Sequence, residues 1–416
     1  MMKKIFLGFG WIALLCVLAY SNDFYTVYKN EINKLIGIAI LYNPDLKNFD
    51  VSHLNQKIQA AKELYKNSRM YEISFALPFN NFFPYKREMM SGYSFNYGFS
   101  SLNKIKTENA FNLEYSKSQI FNIDKEIYLL DLAFNIRKNL ITIFFDDIKL
   151  KILENFKNLI SKAVDLAYTK YSYSYGDLSE ISFANSVVQD INSTILQTQD
   201  NINLSNFEIY NLLKVFLPIQ NTQDFKLNDL MGFYKNYKLA NINIYNNPRL
   251  KRIEKEKELA RLEIYVEKYK YLPDNGWMVE YMARPGNPSI VYLKYYFNFS
   301  DKRQLQPSID NINLKIKYFD NQKFSLLISL EARKNYLKQR FINLKNQLNF
   351  LILKQKELQK SIELSFNKYQ YGKYDLYKIV LFYKELYDLE LKMIEIFKEI
   401  AFIDAEMKNI GGEIYE

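Results

Sequence analysis

Long stretches without glycine or proline constrain the fold of this chain most. The 416 residues include only 12 glycines and 9 prolines, and four stretches of 38 residues or more contain neither: 99–175, 177–217, 308–371 and 373–410. A helix of 75 residues would extend about 110 Å at 1.5 Å per residue, which is longer than a globular domain requires. The pattern therefore predicts very long helices that pair with one another as in coiled coils.

Apolar residues in the first of these stretches recur in steps of three and four, the spacing of one helical face. They are Ile141, Phe145, Ile148, Ile152, Phe156, Leu159 and Ala163, and the face is widened by Phe144, Leu153 and Ile160. Such a wide face predicts a helix with neighbours on two sides. The adjacent Asp146 and Asp147 diverge by about 100° on a helix, and we interpret them as solvated or pore-facing acids.

Two twelve-residue segments repeat one another. KYSYSYGDLSEI begins at Lys170, KYQYGKYDLYKI begins at Lys368, and six of their twelve positions are identical. A second repeat, Asn-Pro-x-Leu-Lys, begins at Asn43 and Asn247 and is typical of a helix start with proline in the first turn. The offset is 198 positions for the first pair and 204 for the second. The chain is therefore an internal duplication, and the twelve-residue segments are predicted to be the tips of two equivalent helical hairpins.

Each half also contains two runs in which apolar and polar residues alternate, the pattern of a β-hairpin. The predicted strands are 71–80 and 92–100 in the first half, and 276–284 and 290–300 in the second. Strands with one aromatic-rich face and one polar face suit the wall of a transmembrane barrel. The positions predicted to face lipid are Phe75, Leu77, Phe79, Tyr93, Phe95, Tyr97, Trp277, Val279, Tyr281, Leu293, Tyr295 and Phe297. Because four strands cannot close a barrel, several chains would have to assemble to remove the open edges.

The N-terminus resembles a secretory signal peptide. Lys3 and Lys4 precede a short apolar run, and small residues stand where cleavage after Ser21 would require them. The alternatives are a retained membrane anchor, which the short run disfavours, and lipidation at Cys16, whose preceding leucines are atypical of that signal. We therefore expect residues 1–21 to be removed and the mature chain to be exported.

Composition excludes several kinds of chemistry. Cys16 is the only cysteine and His53 the only histidine, so a mature chain would have no disulfide, and one chain could build neither a histidine-based zinc site nor a Ser/His triad. We expect His53 to lie on a helix surface. The net charge of +10 could indicate nucleic acid binding, but lysines alternate with glutamates, as in 249–263. We predict no nucleic acid partner, no cofactor, no metal and no enzymatic activity.

The layout of the two halves resembles the TolC-like outer-membrane efflux protein family. The second half matches best: Asn247-Pro248-x-Leu250 is followed by Ala260, then by Pro273 just before a strand, and 369–372 reads Tyr-Gln-Tyr-Gly like the tip of the family. The first half departs from this pattern, with Ser68 and Arg69 in the region of the proline. The resemblance covers about 30–410.

The resemblance implies a mainly α fold with a small β part. Three chains would form one twelve-stranded β-barrel in the outer membrane, continued by a helical barrel through the periplasm. A periplasmic adaptor and an inner-membrane pump of the RND or ABC type would meet the helical tips. The residues expected to contact the adaptor are Tyr171, Tyr173, Gly176, Leu178, Tyr369, Tyr371, Gly372 and Leu376.

The resemblance also implies an entrance at the periplasmic tips. Members of the family often carry an acidic residue about six positions after the tip glycine, where this chain has Ser182 and Lys378. Asp177 and Asp375 lie nearer the turns, and we expect these four residues to line the entrance. The departure leaves an acidic selectivity ring and any gating salt bridge unassigned.

These patterns divide the mature chain into two repeats. The first spans 22–217, with a helical hairpin over 101–217 and its tip at 171–178; the second spans 247–410, with a hairpin over 308–410 and its tip at 369–376. Between them, 218–246 is predicted to be a linker or equatorial segment, and 411–416 a frayed tail.

The predicted function is passive conduction through an outer-membrane exit duct of a tripartite efflux or type I secretion system. The alternative is a periplasmic or surface coiled-coil scaffold or adhesin without a pore, which would leave the two amphipathic hairpins unexplained. Drug, metal and protein export share one channel architecture, so the sequence does not distinguish between these substrates or between the pump classes.

Overall fold

The fold is mainly helical, with one small antiparallel sheet. The computed structural model describes residues 29–66, 70–76, 92–99, 101–173, 178–215, 227–270, 274–283, 290–298, 302–370 and 376–415. Residues 29–42 are helical (α1). The predicted signal peptide lies outside the described residues.

The two halves have the same order of elements. In the first half these are α2 (Pro44–Lys66), β1 (Met70–Ala76), β2 (Gly92–Phe99), α3 (Ser101–Ser172) and α4 (Leu178–Leu213). After α5 (Leu227–Asn236), the second half has α6 (Pro248–Lys270), β3 (Asp274–Ala283), β4 (Ile290–Asn298), α7 (Leu305–Gln370) and α8 (Leu376–Gly411). The helix α7 begins three residues before the predicted start, because Pro307 lies in its first turn, where the missing N–H has no helical partner to lose.

The four strands form one sheet in the order β1-β2-β3-β4, with every neighbouring pair antiparallel. The two hairpins therefore join through β2 and β3, where Phe95 pairs with Tyr281. The last positions of the predicted strands 71–80 and 290–300 lie outside the described residues. The outer strands β1 and β4 are the edges of the sheet.

The chain divides into two compact units. One comprises Met1–Pro44, Tyr128–Asn247 and Ser329–Glu416; the other comprises Asp45–Ile127 and Pro248–Ile328 and contains the sheet. In the second unit, side-chain contacts show that α2 packs antiparallel on α3 and that α6 packs antiparallel on α7.

The duplication preserves individual contacts. Asp50 of α2 pairs with Lys125 of α3 at 2.6 Å, and Glu254 of α6 pairs with Lys323 of α7. The acidic residues are 204 positions apart and the lysines 198, the same offsets as in the sequence repeats. The six-residue difference arises between the paired strands, since β1 and β3 begin 204 positions apart whereas β2 and β4 begin 198 apart.

The repeated asparagines, Asn43 and Asn247, each precede one helix and bind the C-terminal end of another. The buried Asn43 amide donates to the carbonyl of Leu212 at 2.9 Å, and the buried Asn247 amide donates to that of Ile410 at 3.0 Å. Both acceptors lie in the last turn of the returning helix of a hairpin, where carbonyls have no helical donor. Each Asn-Pro start is therefore fixed to the end of its own hairpin.

The apolar face predicted for α3 is buried or half-buried, with one exception. Near the tips, α3, α4 and α8 share a buried cluster that includes Leu153, Phe156, Ile160, Ile181 and Ile379. Leu159, predicted to lie on the buried face, is 46% exposed. The buried face continues instead through Ile160, Val164 and Ala167.

The segment between the halves is a strap, which we define as residues 237–247. Lys334 donates to the carbonyl of Ile242 at 2.9 Å, and Lys345 donates to that of Tyr237 at 3.2 Å, which attaches the strap to α7. The Tyr237 hydroxyl donates to the buried carboxylate of Asp404 on α8. The strap is therefore bonded to both helices of the second hairpin.

The C-terminal tail is ordered, which corrects the prediction of a frayed tail. The helix α8 includes Gly411, and the fully buried Arg137 of α3 donates to the carbonyls of Glu413 and Ile414 at 3.1 and 2.8 Å. The N–H of Glu413 donates to the carbonyl of Lys408 at 2.9 Å. The prediction was wrong because the donor that holds the tail comes from another helix.

Candidate functional site

One face of the sheet exposes large apolar side chains. On β3 and β4 they are Trp277, Val279, Tyr281, Val291, Leu293 and Tyr295, which are 38% to 67% exposed. A large apolar side chain favours burial by roughly 1.5–3 kcal/mol. Exposing six of them to water would therefore cost on the order of 10 kcal/mol, comparable to the whole stability of a domain.

The strand register aligns these side chains into rows across the sheet. Trp277 pairs with Tyr295, Val279 with Leu293, and Tyr281 with Val291. The rings of Trp277 and Tyr295 lie 5.0 Å apart between centroids. Because side chains alternate between faces along a strand, the register extends the same face across β2 and β1.

The other strand positions predicted to face lipid are described only in part. In the backbone register, Phe75 pairs with Tyr93, Phe95 with Tyr281, and Tyr97 with Val279, so these positions belong to the same face. Phe297 pairs with Asn275. Leu77 and Phe79 lie outside the described residues.

The helical tips expose aromatic and apolar side chains. Tyr171 and Tyr173 at the end of α3 and Leu178 at the start of α4 are all exposed, Tyr173 by 71%. On the second hairpin, α7 ends at Gln370, just after Tyr369, and α8 begins at Leu376. The remaining predicted contact residues, Gly176, Tyr371 and Gly372, lie outside the described residues.

Two of the four predicted entrance residues are described. Ser182 on α4 and Lys378 on α8 are exposed. Beside them, the rings of Phe183 and Tyr377 lie 4.6 Å apart, so the two tips are level with each other. Asp177 and Asp375 lie outside the described residues.

Asp146 is buried, which corrects its interpretation as a solvated or pore-facing acid. Its side chain is 7% exposed and pairs with Lys398 of α8 at 2.9 Å, whereas the side chain of Asp147 is 29% exposed and pairs with Lys151. One oxygen of Asp146 has no hydrogen-bond partner. This acid therefore links α3 to α8, and the sequence missed it because an apolar stripe does not reveal a distant lysine.

Glu390 is a partly buried acid on α8. Burial raises the pKa of its carboxyl, while a hydrogen bond from Gln355 of α7 at 3.0 Å opposes that shift. Burial also raises the pKa of Tyr387, whose ring stacks on Phe156 at 4.5 Å. Both groups pack between helices, Glu390 against α7 and Tyr387 against α3, where they can stabilise the helical packing.

His53 lies half-buried on α2, where Nδ1 bonds to the carbonyl of Ser118 at 2.7 Å. Since a carbonyl only accepts, this nitrogen carries the proton.

Within the described residues, no cluster of three or more His, Cys, Asp or Glu side chains is placed to hold a metal ion. None of the helices in the described part of the chain combines the length and apolar character needed to cross a membrane.

Comparison with solved structures identifies the fold. The chain is similar to the transmembrane channel CusC (TM-score 0.77, 11% identity, 92% of each chain covered). It is also similar to the outer membrane protein VceC from Vibrio cholerae (TM-score 0.73, 12% identity, 92% of this chain and 97% of that one). A third is the Campylobacter jejuni outer membrane channel CmeC (TM-score 0.73, 13% identity, 92% of this chain and 86% of that one).

These likenesses confirm, for the fold, the resemblance to the TolC-like outer-membrane channels. The proteins that share the fold are channels and outer-membrane proteins rather than enzymes. No family model matches the chain, and no curated protein matches it in sequence.

Proposed function

We propose that this chain is the outer-membrane exit duct of a tripartite efflux or type I secretion system. In the proposal, three copies join their sheets into a twelve-stranded barrel, and their helices continue as a periplasmic tunnel. Substrates delivered by an inner-membrane pump and a periplasmic adaptor pass through without chemical change. An N-terminal signal peptide exports the chain.

The observation that carries the proposal is the exposed apolar face of the sheet. Its rows of aromatic and aliphatic side chains run across paired strands, from Trp277 and Tyr295 to Tyr281 and Val291. In lipid, the cost of exposing this face disappears. A soluble scaffold would have to bear that cost, so the face favours a membrane-embedded sheet.

The edges of the sheet support assembly of several copies. Among the described strands, β1 and β4 each have one neighbour, so each edge would leave a row of backbone N–H and C=O groups unpaired. Such groups cannot remain unpaired in the hydrocarbon core, and only a closed barrel satisfies all of them. Pairing β4 of one copy with β1 of the next would close the ring.

The tips are the proposed contact for the adaptor. Tyr171, Tyr173 and Leu178 expose apolar surface at a helical end, and tyrosine is enriched at protein interfaces.

Lys378 and Ser182 would lie beside the entrance. We expect Lys378→Asp to raise cation selectivity, measured as the reversal potential in a salt gradient, while Lys384→Asp, six residues further from the tip, serves as the matched control.

The proposal is tested by extracting the mature protein from outer membranes in mild detergent. Its mass should be that of a trimer, and planar bilayers should show discrete conductance steps. A monomer or dimer that needs no detergent and does not conduct would favour the scaffold instead.

A matched pair of variants tests the role of the sheet face. Leu293→Lys introduces a charge on that face and should reduce membrane incorporation, since a lysine facing lipid costs about 2–4 kcal/mol at mid-membrane. Leu54→Lys changes a similarly exposed leucine of α2 and should have little effect. Equal incorporation of both variants would contradict a lipid-facing sheet.

A further inference from the structure

A cavity of about 290 Å³ lies between α3, α6 and α7, in the compact unit that contains the sheet. Its lining combines apolar and polar side chains, and the apolar ones are Leu113 of α3, Val266 of α6 and Ile312 of α7. A cavity of about 150 Å³ is large enough to bind benzene. This cavity therefore has room for a ligand of about ten heavy atoms.

Two carboxylates contribute to the polar lining, and they differ in their hydrogen bonds. Glu263 and Glu267 are four residues apart on α6, which places them on one face of the helix. Lys315 of α7 donates to both oxygens of Glu263, at 3.1 and 2.9 Å. In contrast, Oε2 of Glu267 is buried and has no hydrogen-bond partner in the described part of the chain. Lys270 lies 3.6 Å from its Oε1, which is too far for a hydrogen bond.

The unpartnered oxygen of Glu267 calls for a donor. A buried carboxylate oxygen without a hydrogen bond is unfavourable, and buried polar groups in folded proteins nearly always have partners. Rotation about the last side-chain bond of a glutamate is soft, so either oxygen can turn toward the cavity that Glu267 lines. A cationic donor in the cavity would supply both the missing hydrogen bond and a compensating charge.

The remaining polar lining fits a primary ammonium group. Ser308 and Asn311 of α7 contribute a hydroxyl and an amide, whose oxygens can accept hydrogen bonds. Together with Glu267 they offer three acceptors, and a primary ammonium has three N–H donors. A metal ion fits less well, because the described residues include no group of three His, Cys, Asp or Glu side chains that could hold one.

The cavity lies at the helix ends that adjoin the sheet. Glu267 is three residues before the end of α6, and Ser308 is three residues after the start of α7. The strand β3 follows α6, and β4 precedes α7. The exposed pair of Trp277 and Tyr295 is the row of the sheet closest to these helix ends, and aromatic rows of this kind lie at the membrane interface.

These positions put the cavity within reach of lipid headgroups. The headgroup layer on each side of a bilayer is roughly 5–8 Å thick, and Glu267 lies about 5 Å from the end of α6. Lys270, whose side chain is 63% exposed, is beside Glu267. An acid next to a base matches a zwitterionic headgroup, in which an ammonium stands next to a phosphate.

We propose that this cavity binds the primary ammonium group of a zwitterionic phospholipid. Glu267 is the anionic partner of the ammonium, Ser308 and Asn311 accept its other N–H groups, and Lys270 lies beside the phosphate. The inference rests on the membrane-embedded sheet of the proposed function, and it adds a lipid of defined chemistry at a defined site.

The test is to count the lipids that the full mature protein retains, by mass spectrometry of the intact assembly in mild detergent. Delipidated protein is incubated with phosphatidylethanolamine or with phosphatidylcholine of the same acyl chains. The choline headgroup carries the same charges but has no N–H donor. The protein should bind one phosphatidylethanolamine per chain, about tenfold more tightly than phosphatidylcholine. Equal binding of the two lipids would overturn the ammonium site.

A matched pair of variants tests the role of Glu267. Glu267→Gln keeps the size of the side chain and removes its charge, so phosphatidylethanolamine should bind about tenfold more weakly. Glu258→Gln changes a 59% exposed acid of the same helix and should keep the preference. In the absence of lipid, Glu267→Gln should unfold at no lower temperature than the wild type, because Oε2 has no partner to lose. A Glu267→Gln variant with an unchanged preference would contradict the assignment.

Soluble headgroups show whether the ligand is a lipid. Phosphoethanolamine at millimolar concentration should displace phosphatidylethanolamine, whereas phosphocholine should not. Binding of phosphoethanolamine as tight as that of the lipid would overturn a lipid as the ligand.

The conductance of the same preparations separates this inference from the proposed function. A trimer that conducts but binds both lipids equally would overturn the headgroup site and leave the channel standing. A protein that needs no detergent and does not conduct would overturn both.

Discussion

Lys214 and Gly412 occupy the same position in the two halves of the chain. Each directly follows the returning helix of its hairpin, α4 or α8, and each has a positive φ, of 57° and 77°. They are 198 positions apart, the offset of the tips. A left-handed residue just after a helix is a common helix end, and glycine is its usual occupant, so the first half carries a strained residue where the second does not.

Lys214→Gly should therefore stabilise the protein. Removing the side chain relieves a conformation that costs an L-residue about 1–2 kcal/mol, and the greater freedom of glycine in the unfolded chain returns part of that gain. We expect a net increase of roughly 0.5–1 kcal/mol in the free energy of unfolding, seen as a higher midpoint in thermal unfolding. Lys214→Ala removes the charge but keeps the strain, so it should change little; an equal gain from alanine would point to charge instead.

The attachment of the tail should depend on Arg137. Arg137→Met removes the donors to the Glu413 and Ile414 carbonyls, and a buried group left without its partner costs about 1–3 kcal/mol. We expect a carboxypeptidase to trim the tail of this variant and to spare the wild-type tail. Lys138→Met makes the same charge change at an exposed neighbour and should leave the tail resistant. Equal trimming of all three proteins would show that Arg137 does not hold the tail.

The buried pair of Asp146 and Lys398 should matter far more than the pair formed by the neighbouring Asp147. Asp146→Ala leaves the partly buried Lys398 without its carboxylate, and breaking a buried pair costs about 3–5 kcal/mol. Asp147→Ala should cost less than about 1 kcal/mol, as for surface pairs. Thermal unfolding of both variants measures the difference. Asp146→Leu/Lys398→Met should recover most of the loss, since an apolar replacement removes both charges; equal effects of the two alanine variants would contradict the burial of Asp146.

Glu390 should give the helical region a pH-dependent stability. Its folded pKa is raised by burial, so the folded state binds a proton more tightly than the unfolded state. Its contribution is therefore most favourable below the unfolded value of about 4.3 and is lost as the pH rises through the higher folded pKa.

Glu390→Gln removes this ionisation and keeps an oxygen that can accept from Gln355. The variant and the wild type should unfold at similar temperatures near pH 4, and the variant should become the more stable of the two as the pH rises to 7. Unfolding midpoints measured across that range test the sign. A variant less stable than the wild type at pH 7 would mean that the ionised carboxylate stabilises the fold.

The duplicated elements could be read from the sequence because their signals are local. The absence of helix breakers, the period-two strands and the repeated Asn-Pro starts all act within a few residues. The same patterns indicated a resemblance to the TolC-like channels, and the structure has the fold of those channels. The breakers also located the tips closely, since Gly176 and Gly372 fall between the helices of each hairpin.

The sequence could not reveal contacts whose partners are far apart along the chain. Arg137 meets a tail 276 residues away, and Asp146 meets a lysine 252 residues away. Neither residue differs locally from a solvated charge on a helix. The repeated asparagines stand out in the sequence because both precede a proline. That pattern indicated the helix that each asparagine precedes, and did not indicate the helix whose last turn it binds.

The attachment of the strap limits where chain length can change during evolution. Tyr237 and Ile242 are five residues apart and span up to about 17 Å when extended; Lys345 and Lys334, which bond to them, are eleven helical residues apart, which is also about 17 Å. Inserting or deleting one residue in the strap would separate a lysine from its carbonyl. The two halves differ by six residues between their paired strands and by none between the tip and the end of the returning helix. Homologous chains should therefore vary in length at the strand turns and keep a constant length in the strap.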